Sequence, residues 1–272
     1  MIELYDRYSQ ESRDLHESLV ATGLSQLGVV IDADGFLPDG LVSPFTYYLG
    51  YEKGKPLYFN QVPVPAFWEI SGNNQSARID DMTQERAVIH YADGLQARLV
   101  KQVDWKDLEG RVRQIDHYNR FGACFATTTY SADSEPIMTV YQDVNGQEVL
   151  LENHVTGDIL LTLPGQSIRY FANKAEFIIF FLQDLGLDSH QLIFNTLATP
   201  FLVSFYHPDK SGSDVLVWQE PLYDAIPGNM QLILESNDVR TKKIIIPNKA
   251  TYERALELTD EKYHDQFVHL GY

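Results

Sequence analysis

The chain has 272 residues, 44% hydrophobic and 12% aromatic, which suits one large or two moderate domains with filled cores and excludes a disordered chain. A formal net charge of −17 with no Lys/Arg cluster disfavours nucleic acid as a partner and argues against adsorption to anionic lipid. The single cysteine, Cys124, excludes an internal disulfide or a cysteine-based zinc site.

No apolar run approaches the roughly 20 residues of a membrane helix, and residues 1–8 lack the basic-then-apolar order of a secretory signal, so a soluble cytoplasmic protein is expected. Residues 9–23 read as a helix, with Ser9 as cap, Leu15, Leu19 and Val20 on one face, and Gly23 as stop. Residues 28–32 follow as a short buried strand turned by Asp34-Gly35, the punctuation of an α/β layer. Residues 36–56 are loop-rich.

From residue 57 to 170 the sequence becomes a run of hairpins. Turns fall at Ala92-Asp93-Gly94, Leu108-Glu109-Gly110, Arg120-Phe121-Gly122, Asp133-Ser134, Asn145-Gly146, Thr156-Gly157-Asp158 and Pro164-Gly165. The segments between them alternate polar and apolar residues, so one face packs and the other meets water or a partner. Residues 61–65 carry Pro63 and Pro65, which supply no amide donor, and read as an edge or an extended connector.

Residues 174–185 return to helical spacing, with Phe177, Phe180, Phe181 and Leu185 ahead of Gly186. Four apolar runs follow, at 201–205, 215–218, 230–234 and 243–246, and read as strands of a parallel sheet; residues 249–264 read as a final helix. The expected architecture is α/β plus β. A discontinuous α/β domain (residues 1–50 and 172–272) carries an inserted antiparallel β-meander (residues 51–171).

No glycine-rich phosphate loop or nucleophile-elbow sequence is present, and no catalytic residue, metal ligand or cofactor is assigned. Asp32-Ala33-Asp34 and Asp80-Asp81 come nearest to a carboxylate pair for a hard cation, but they read as a post-strand turn and a solvated hairpin end. His117, within Asp116-His117-Tyr118, and His154, within Glu152-Asn153-His154, stand beside carboxylates. Such histidines act as general bases or bridge strands through hydrogen bonds. Cys124 reads as a small buried residue. Trp218-Gln219-Glu220-Pro221 lies past an expected parallel strand, where open sheets bind ligands; it suits a sugar or a Ser/Thr-rich peptide, or packs. Ile226-Pro227-Gly228-Asn229-Met230 reads as a turn into the next strand. Trp218, Gln219, Glu220, Asn153, His154, His117 and Tyr118 are the residues expected to bind peptide or partner.

Several segments carry a resemblance to a known family: Tyr58-Phe59-Asn60-Gln61-Val62-Pro63-Val64-Pro65, Phe67-Trp68-Glu69-Ile70-Ser71-Gly72, Glu152-Asn153-His154-Val155-Thr156-Gly157-Asp158-Ile159, Trp218-Gln219-Glu220-Pro221, and Ile226-Pro227-Gly228-Asn229-Met230-Gln231 followed by Arg240-Thr241-Lys242-Lys243-Ile244. They resemble the stabilising, substrate-binding subunits (GtfB type) of the peptide O-GlcNAc transferase that modifies serine-rich-repeat adhesins in accessory Sec systems. The resemblance implies a split Rossmann-like domain of the GT-B N-terminal type with an inserted β-meander add-on domain. It also implies a second Rossmann-like domain, absent from this chain.

By that resemblance the chain is a non-catalytic subunit of a hetero-oligomer. Its partners are the catalytic glycosyltransferase subunit and the Ser/Thr-rich repeat adhesin, which it binds before export. It is cytoplasmic, without direct membrane insertion, and peripheral to the membrane only through the complex. The rival is a fragment of an active GT-B glycosyltransferase that moves GlcNAc from UDP-GlcNAc to Ser/Thr, with Trp218, Gln219 and Glu220 lining its acceptor cleft.

Overall fold

The computed structural model describes residues 1–92 and 97–269, which form two compact units. One comprises Met1–Asp32, Asp39–Pro44 and the stretch from Lys174; the other comprises Ala33–Pro38 and Phe45–Asn173.

The first unit opens with β1 (Ile2–Tyr5), α1 (Gln10–Ala21), β2 (Leu27–Val30) and β3 (Leu41–Val42), and a one-turn helix α2 (Pro44–Tyr47) leads away from it. The second unit supplies ten strands: β4 (Glu69–Gly72), β5 (Ser76–Asp80), β6 (Glu85–Tyr91), β7 (Val100–Lys106), β8 (Val112–Tyr118), β9 (Cys124–Tyr130), β10 (Pro136–Gln142), β11 (Glu148–Asn153), β12 (Ile159–Leu161) and β13 (Arg169–Phe171). The first unit then resumes with α3 (Lys174–Asp184), β14 (Leu192–Phe194), α4 (Thr199–Tyr206), β15 (Asp214–Val217), α5 (Gly228–Glu235), β16 (Thr241–Ile245), α6 (Lys249–Leu258) and β17 (Phe267–Val268).

The seven strands of the first unit form one parallel sheet in the order β17-β16-β15-β14-β1-β2-β3. The chain starts at β1, runs outward to β3, and resumes on the other side of β1, so strand order reverses between β1 and β14. That is doubly wound, Rossmann-like topology with the antiparallel sheet inserted in its long crossover. β1, β14 and β15 are buried throughout, as strands covered on both faces must be. α1 is capped by Ser9, whose Oγ accepts from the Ser12 amide, and it seats Leu19 against Ile193, Val215 and Val217. Val20, expected on that face, is 54% exposed.

Three expectations need correction. Residues 201–205 and 230–234 are not strands but lie in α4 and α5, and residues 226–230 accordingly open a helix. α4 is apolar along most of its length, and in α5 the buried Met230, Ile233 and Leu234 are joined by the exposed Leu232, so each short apolar run fits either state. β1 and the three-residue β14 went unrecognised, and the helix expected over 249–264 ends at Leu258.

On the amino side of the parallel sheet, the fully buried Arg240 holds the elements together. Its Nε and Nη2 donate to the Asp214 carboxylate (3.0 and 3.2 Å), Nη2 to the His190 carbonyl (2.8 Å), and Nη1 to the Asp188 carbonyl (3.1 Å) and to His207 Nδ1 (2.8 Å). Asp214 also accepts from Ser204 Oγ and the Leu192 amide. A guanidinium is always a donor, so His207 Nδ1 is an acceptor and the ring proton sits on Nε2. Burial, and then the Arg240 charge, holds the His207 pKa below its usual range. The folded state therefore binds fewer protons than the unfolded chain below about pH 6.5. Stability should be flat above that value and fall on acidification. His207→Asn, whose Oδ1 can replace Nδ1, should remove up to about 1.4 kcal/mol per pH unit of the slope. Urea denaturation at pH 7.5 and 5.5 measures it, and equal slopes in the two proteins would refute the assignment.

In the second unit each strand pairs antiparallel with its sequence neighbours, in the order β13 to β4. Gly110, Gly122, Gly146, Gly157 and Gly165 adopt positive φ at the expected turns, as does Ser134. The expected Asp93-Gly94 turn lies outside the described residues. One face of β4–β8 buries Ala77, Ile79, Ala87, Ile89, Val103 and Tyr118. The proline-bearing connector crosses this core, sinking Val62 into it after a short 3-10 turn at Phe59–Gln61. It is no strand.

Candidate functional site

The carboxyl ends of β14 and β15 open into a cavity of about 560 Å³, within the usual range for small-molecule sites. Thr196, Leu197 and Ala198 form one wall; Trp218 and residues 220–225 form the other, with Pro227 beside them. Ala198 and Pro227 are the N-cap positions of α4 and α5, and neither offers a side chain to the first-turn amides. Two positive helix ends thus meet one cavity. Asn229 ties the loops together, its Nδ2 donating to the Leu197 carbonyl at 2.9 Å.

Three residues at or next to the cavity carry buried polar atoms without a partner. The Trp218 backbone amide donates to Ile245 (2.8 Å), but its indole Nε1–H is buried without an acceptor. Thr196 Oγ1 is buried and unpartnered, as is Oδ1 of neighbouring Asn195, whose Nδ2 reaches Ser12 Oγ at 3.3 Å. Each such atom costs about 1–3 kcal/mol unless a partner arrives. Glu220 and Asp224 bring carboxylates to the same wall.

Of the expected site residues, only Trp218 and Glu220 belong to this cavity. Trp218 is 6% exposed and part of its wall, not a presented face. Gln219 is exposed and outside the wall. Asn153 shapes a turn: its Oδ1 accepts from the amides of Val155 and Thr156. Tyr118 is core, 7% exposed. Asp34 pairs with Lys101, and Asp81 accepts from Thr83, Gln84 and Arg86; those hydrogen bonds hold the Asp81 pKa down to about 2. Cys124 is half-buried, and burial raises its thiol to about 11, so it is not a reactive thiolate.

His117 and His154 are joined. His117 Nε2 lies 2.9 Å from Thr128 Oγ1, Thr128 Oγ1 2.8 Å from Thr139 Oγ1, and Thr139 Oγ1 2.7 Å from His154 Nε2. The bridging role, not a general base, is what the geometry shows. Three hydrogen bonds need three protons, and the hydroxyls supply two. One imidazole Nε2 therefore carries hydrogen and the other is bare. His154 Nδ1 faces the Glu152 carboxylate at 3.9 Å, which favours its proton there. The ladder then runs from His117 Nε2–H through both threonines to His154 Nε2. Burial lowers the His117 pKa, in keeping with a neutral ring. Imidazole nitrogen NMR should find opposite tautomers in the two rings. Thr139→Val should uncouple them at a cost of about 1–3 kcal/mol in urea denaturation. Identical tautomers would show that the ladder is broken in solution.

Family models for the GtfB N-terminal, middle and third domains match residues 2–48, 68–172 and 174–258. The chain belongs to the GtfB family. It is 91% identical over 272 residues to the UDP-N-acetylglucosamine–peptide N-acetylglucosaminyltransferase stabilizing protein GtfB of Streptococcus pneumoniae serotype 4, covering 100% of this chain and 61% of that protein. A crystal structure of a GtfA/B complex bound to UDP and GlcNAc contains a chain 52% identical to it, at a TM-score of 0.94, covering 100% of this chain and 61% of that one. The chain therefore spans about three fifths of the length of these relatives. The pneumococcal O-GlcNAc transferase GtfA, crystallised with UDP and GlcNAc, shares only the fold, at a TM-score of 0.58 and 12% identity over 99% of this chain and 59% of that one. That likeness gives the GT-B architecture.

Within this GtfB chain, Thr196, Ala198 and Asp224 were missed from sequence, while Pro227 lies in a segment that reads as a turn. Alanine and proline as N-caps leave no capping signature, and the cavity exists only because two βα loops converge. Pro200, early in α4, was the one available hint that a helix begins there.

Proposed function

We propose that this chain is the N-terminal part of a non-catalytic subunit that stabilises a catalytic glycosyltransferase subunit and binds its acceptor, the Ser/Thr-rich repeats of an adhesin, ahead of accessory Sec export. The observation that carries this is the match, across all of this chain, to a chain of the GtfA/B complex. The cavity supports the binding role: its wall offers hydrogen-bond donors and two carboxylates, and no histidine, lysine or cysteine. The protein would act in the cytoplasm and reach the membrane only through its complex; no helix of the described residues is long and apolar enough to cross one. The test is co-purification of the intact protein with the catalytic subunit, and its binding to unglycosylated repeat peptide. Both are expected, and retention of neither would end this reading.

A further inference from the structure

The ten-stranded sheet ends at β4, where Glu69, Ser71 and Gly72 are exposed. We propose that the free edge of β4, with Phe67 at its head, is a docking strand for an extended, uncharged Ser/Thr-rich chain, which adds to the sheet as one more strand.

The hydrogen bonds fix which main-chain groups are free. The Asn73 amide donates to the Ser76 carbonyl and the Asp81 amide to the Gln84 carbonyl, both at 3.0 Å. With the register of β4 on β5 and β5 on β6, Glu69 and Ser71 bond inward to β5, while Ile70 and Gly72 face away from it. Among the described residues, neither Ile70 nor Gly72 has a backbone partner on that outer side. Every neighbouring pair from β5 to β11 carries a register shift, whereas β4 on β5 carries none. Residues 69–72 also lack proline and lysine. Bulges, prolines and lysines are the devices that blunt an edge, and this one has none of them.

Strain at the head of the strand is the second observation. The Trp68 amide donates to the Pro65 carbonyl at 3.2 Å, and Phe67 between them has a φ of +70°. This is a type II turn with phenylalanine in the position that glycine favours. Trp68 holds the turn in place, packed on the core with Arg86 over its ring at 5.3 Å. Phe67 itself is 86% exposed, so its ring adds little to the fold that strains it. Met82, 88% exposed, lies at the same end of the pair, two residues past Asp80 as Phe67 is two before Glu69. An edge strand offers main-chain groups and no pocket, so it selects an extended backbone. Ser71 and Gly72 suit small neighbours, and a chain of net charge −17 repels an acidic strand. Phe67 and Met82 add apolar surface for threonine methyls. Strand addition grips the backbone and leaves side-chain hydroxyls standing off both faces, open to a catalytic partner. The inference rests on the proposed acceptor-binding role for the identity of the chain.

The readout is amide hydrogen exchange of Ile70, Ser71 and Gly72 in the intact protein, followed by NMR, with an unglycosylated Ser/Thr-rich peptide as probe. Peptide at about ten times its Kd should slow exchange at Ile70 and Gly72 about tenfold and leave Ser71, already in the ladder, unchanged. Ile70→Pro removes an outward amide that the sheet does not use, and should weaken the peptide about tenfold. Phe67→Gly relieves the positive φ, so it should raise the urea midpoint while weakening the peptide, and it serves if Ile70→Pro folds poorly. Peptide that binds without slowing Ile70 and Gly72 overturns the docking strand and leaves the acceptor-binding role standing. Unchanged peptide affinity in Phe67→Gly overturns it as well. Protection that appears without peptide and grows with protein concentration assigns the edge to a second copy, and protection that needs the catalytic subunit assigns it to that partner; either result overturns the proposal. A peptide that does not bind the intact protein at all sinks this inference and the acceptor-binding role together.

Discussion

Replacing Arg240 by leucine should destabilise the parallel-sheet unit by about 3–5 kcal/mol, the usual cost of leaving one member of a buried ion pair without its partner. The change strips Asp214 of two hydrogen bonds, orphans the carbonyls of Asp188 and His190, and leaves His207 Nδ1 with the Asp209 amide as its donor. Those groups sit at the amino ends of β14, β15 and β16, so the loss reaches three neighbouring strands. Arg240→Lys does not rescue it, because a single ammonium cannot span the carboxylate, two carbonyls and the imidazole. Urea denaturation followed by circular dichroism measures the effect. A cycle with Asp214→Asn should show coupling of about 1–3 kcal/mol, since the side chains share one network. A loss below about 1 kcal/mol would mean that solvent reaches the site.

The second large effect is expected at Gly122, where two costs add. Its φ of +85° is strained for any residue with a Cβ, and a Cβ there would collide with the carbonyl oxygen of Lys55. Gly54 faces the same loop from the other side, against the Phe121 carbonyl, so neither strand of chain can retreat. Gly110 is the internal control: its φ is +79°, but nothing lies within 4 Å of a Cβ placed on it. Gly110→Ala should cost about 1 kcal/mol, the conformational part alone. Gly122→Ala should cost about 3 kcal/mol, the excess being overpacking against rigid backbone. Equal losses at the two sites would show that the loops relax apart.

Legibility in the sequence tracked how local the determining physics was. Hairpin turns such as Asn145-Gly146 declare themselves, because the residue that tolerates positive φ is the residue present. α1 was readable from Ser9 and Gly23 for the same reason. α4 and α5 were not, since Phe201, Val203, Met230 and Ile233 are buried among neighbours that only the tertiary structure supplies. His117 and His154 were singled out on adjacent carboxylates, yet their partners are Thr128 and Thr139. Those threonines fall in line only once the register of β9 on β10 is known. The cavity lay furthest from view: Trp218 flagged its place, but an unmet indole N–H is a property of the fold.

The inserted sheet also sets a clock on synthesis. β3 ends at Val42 and its sheet cannot continue until β14 begins at Leu192. At about 5–20 residues per second, roughly 8–30 s separate the two on the ribosome. Through that interval Ile2 and Leu4 of β1, both buried in the finished unit, have no β14 to pair with. The meander, whose strands pair only with their neighbours in sequence, can meanwhile assemble hairpin by hairpin as it emerges. The nascent chain therefore holds a finished sheet beside an unfinished one. A factor that shields the first forty residues would raise yield more than one acting on the meander.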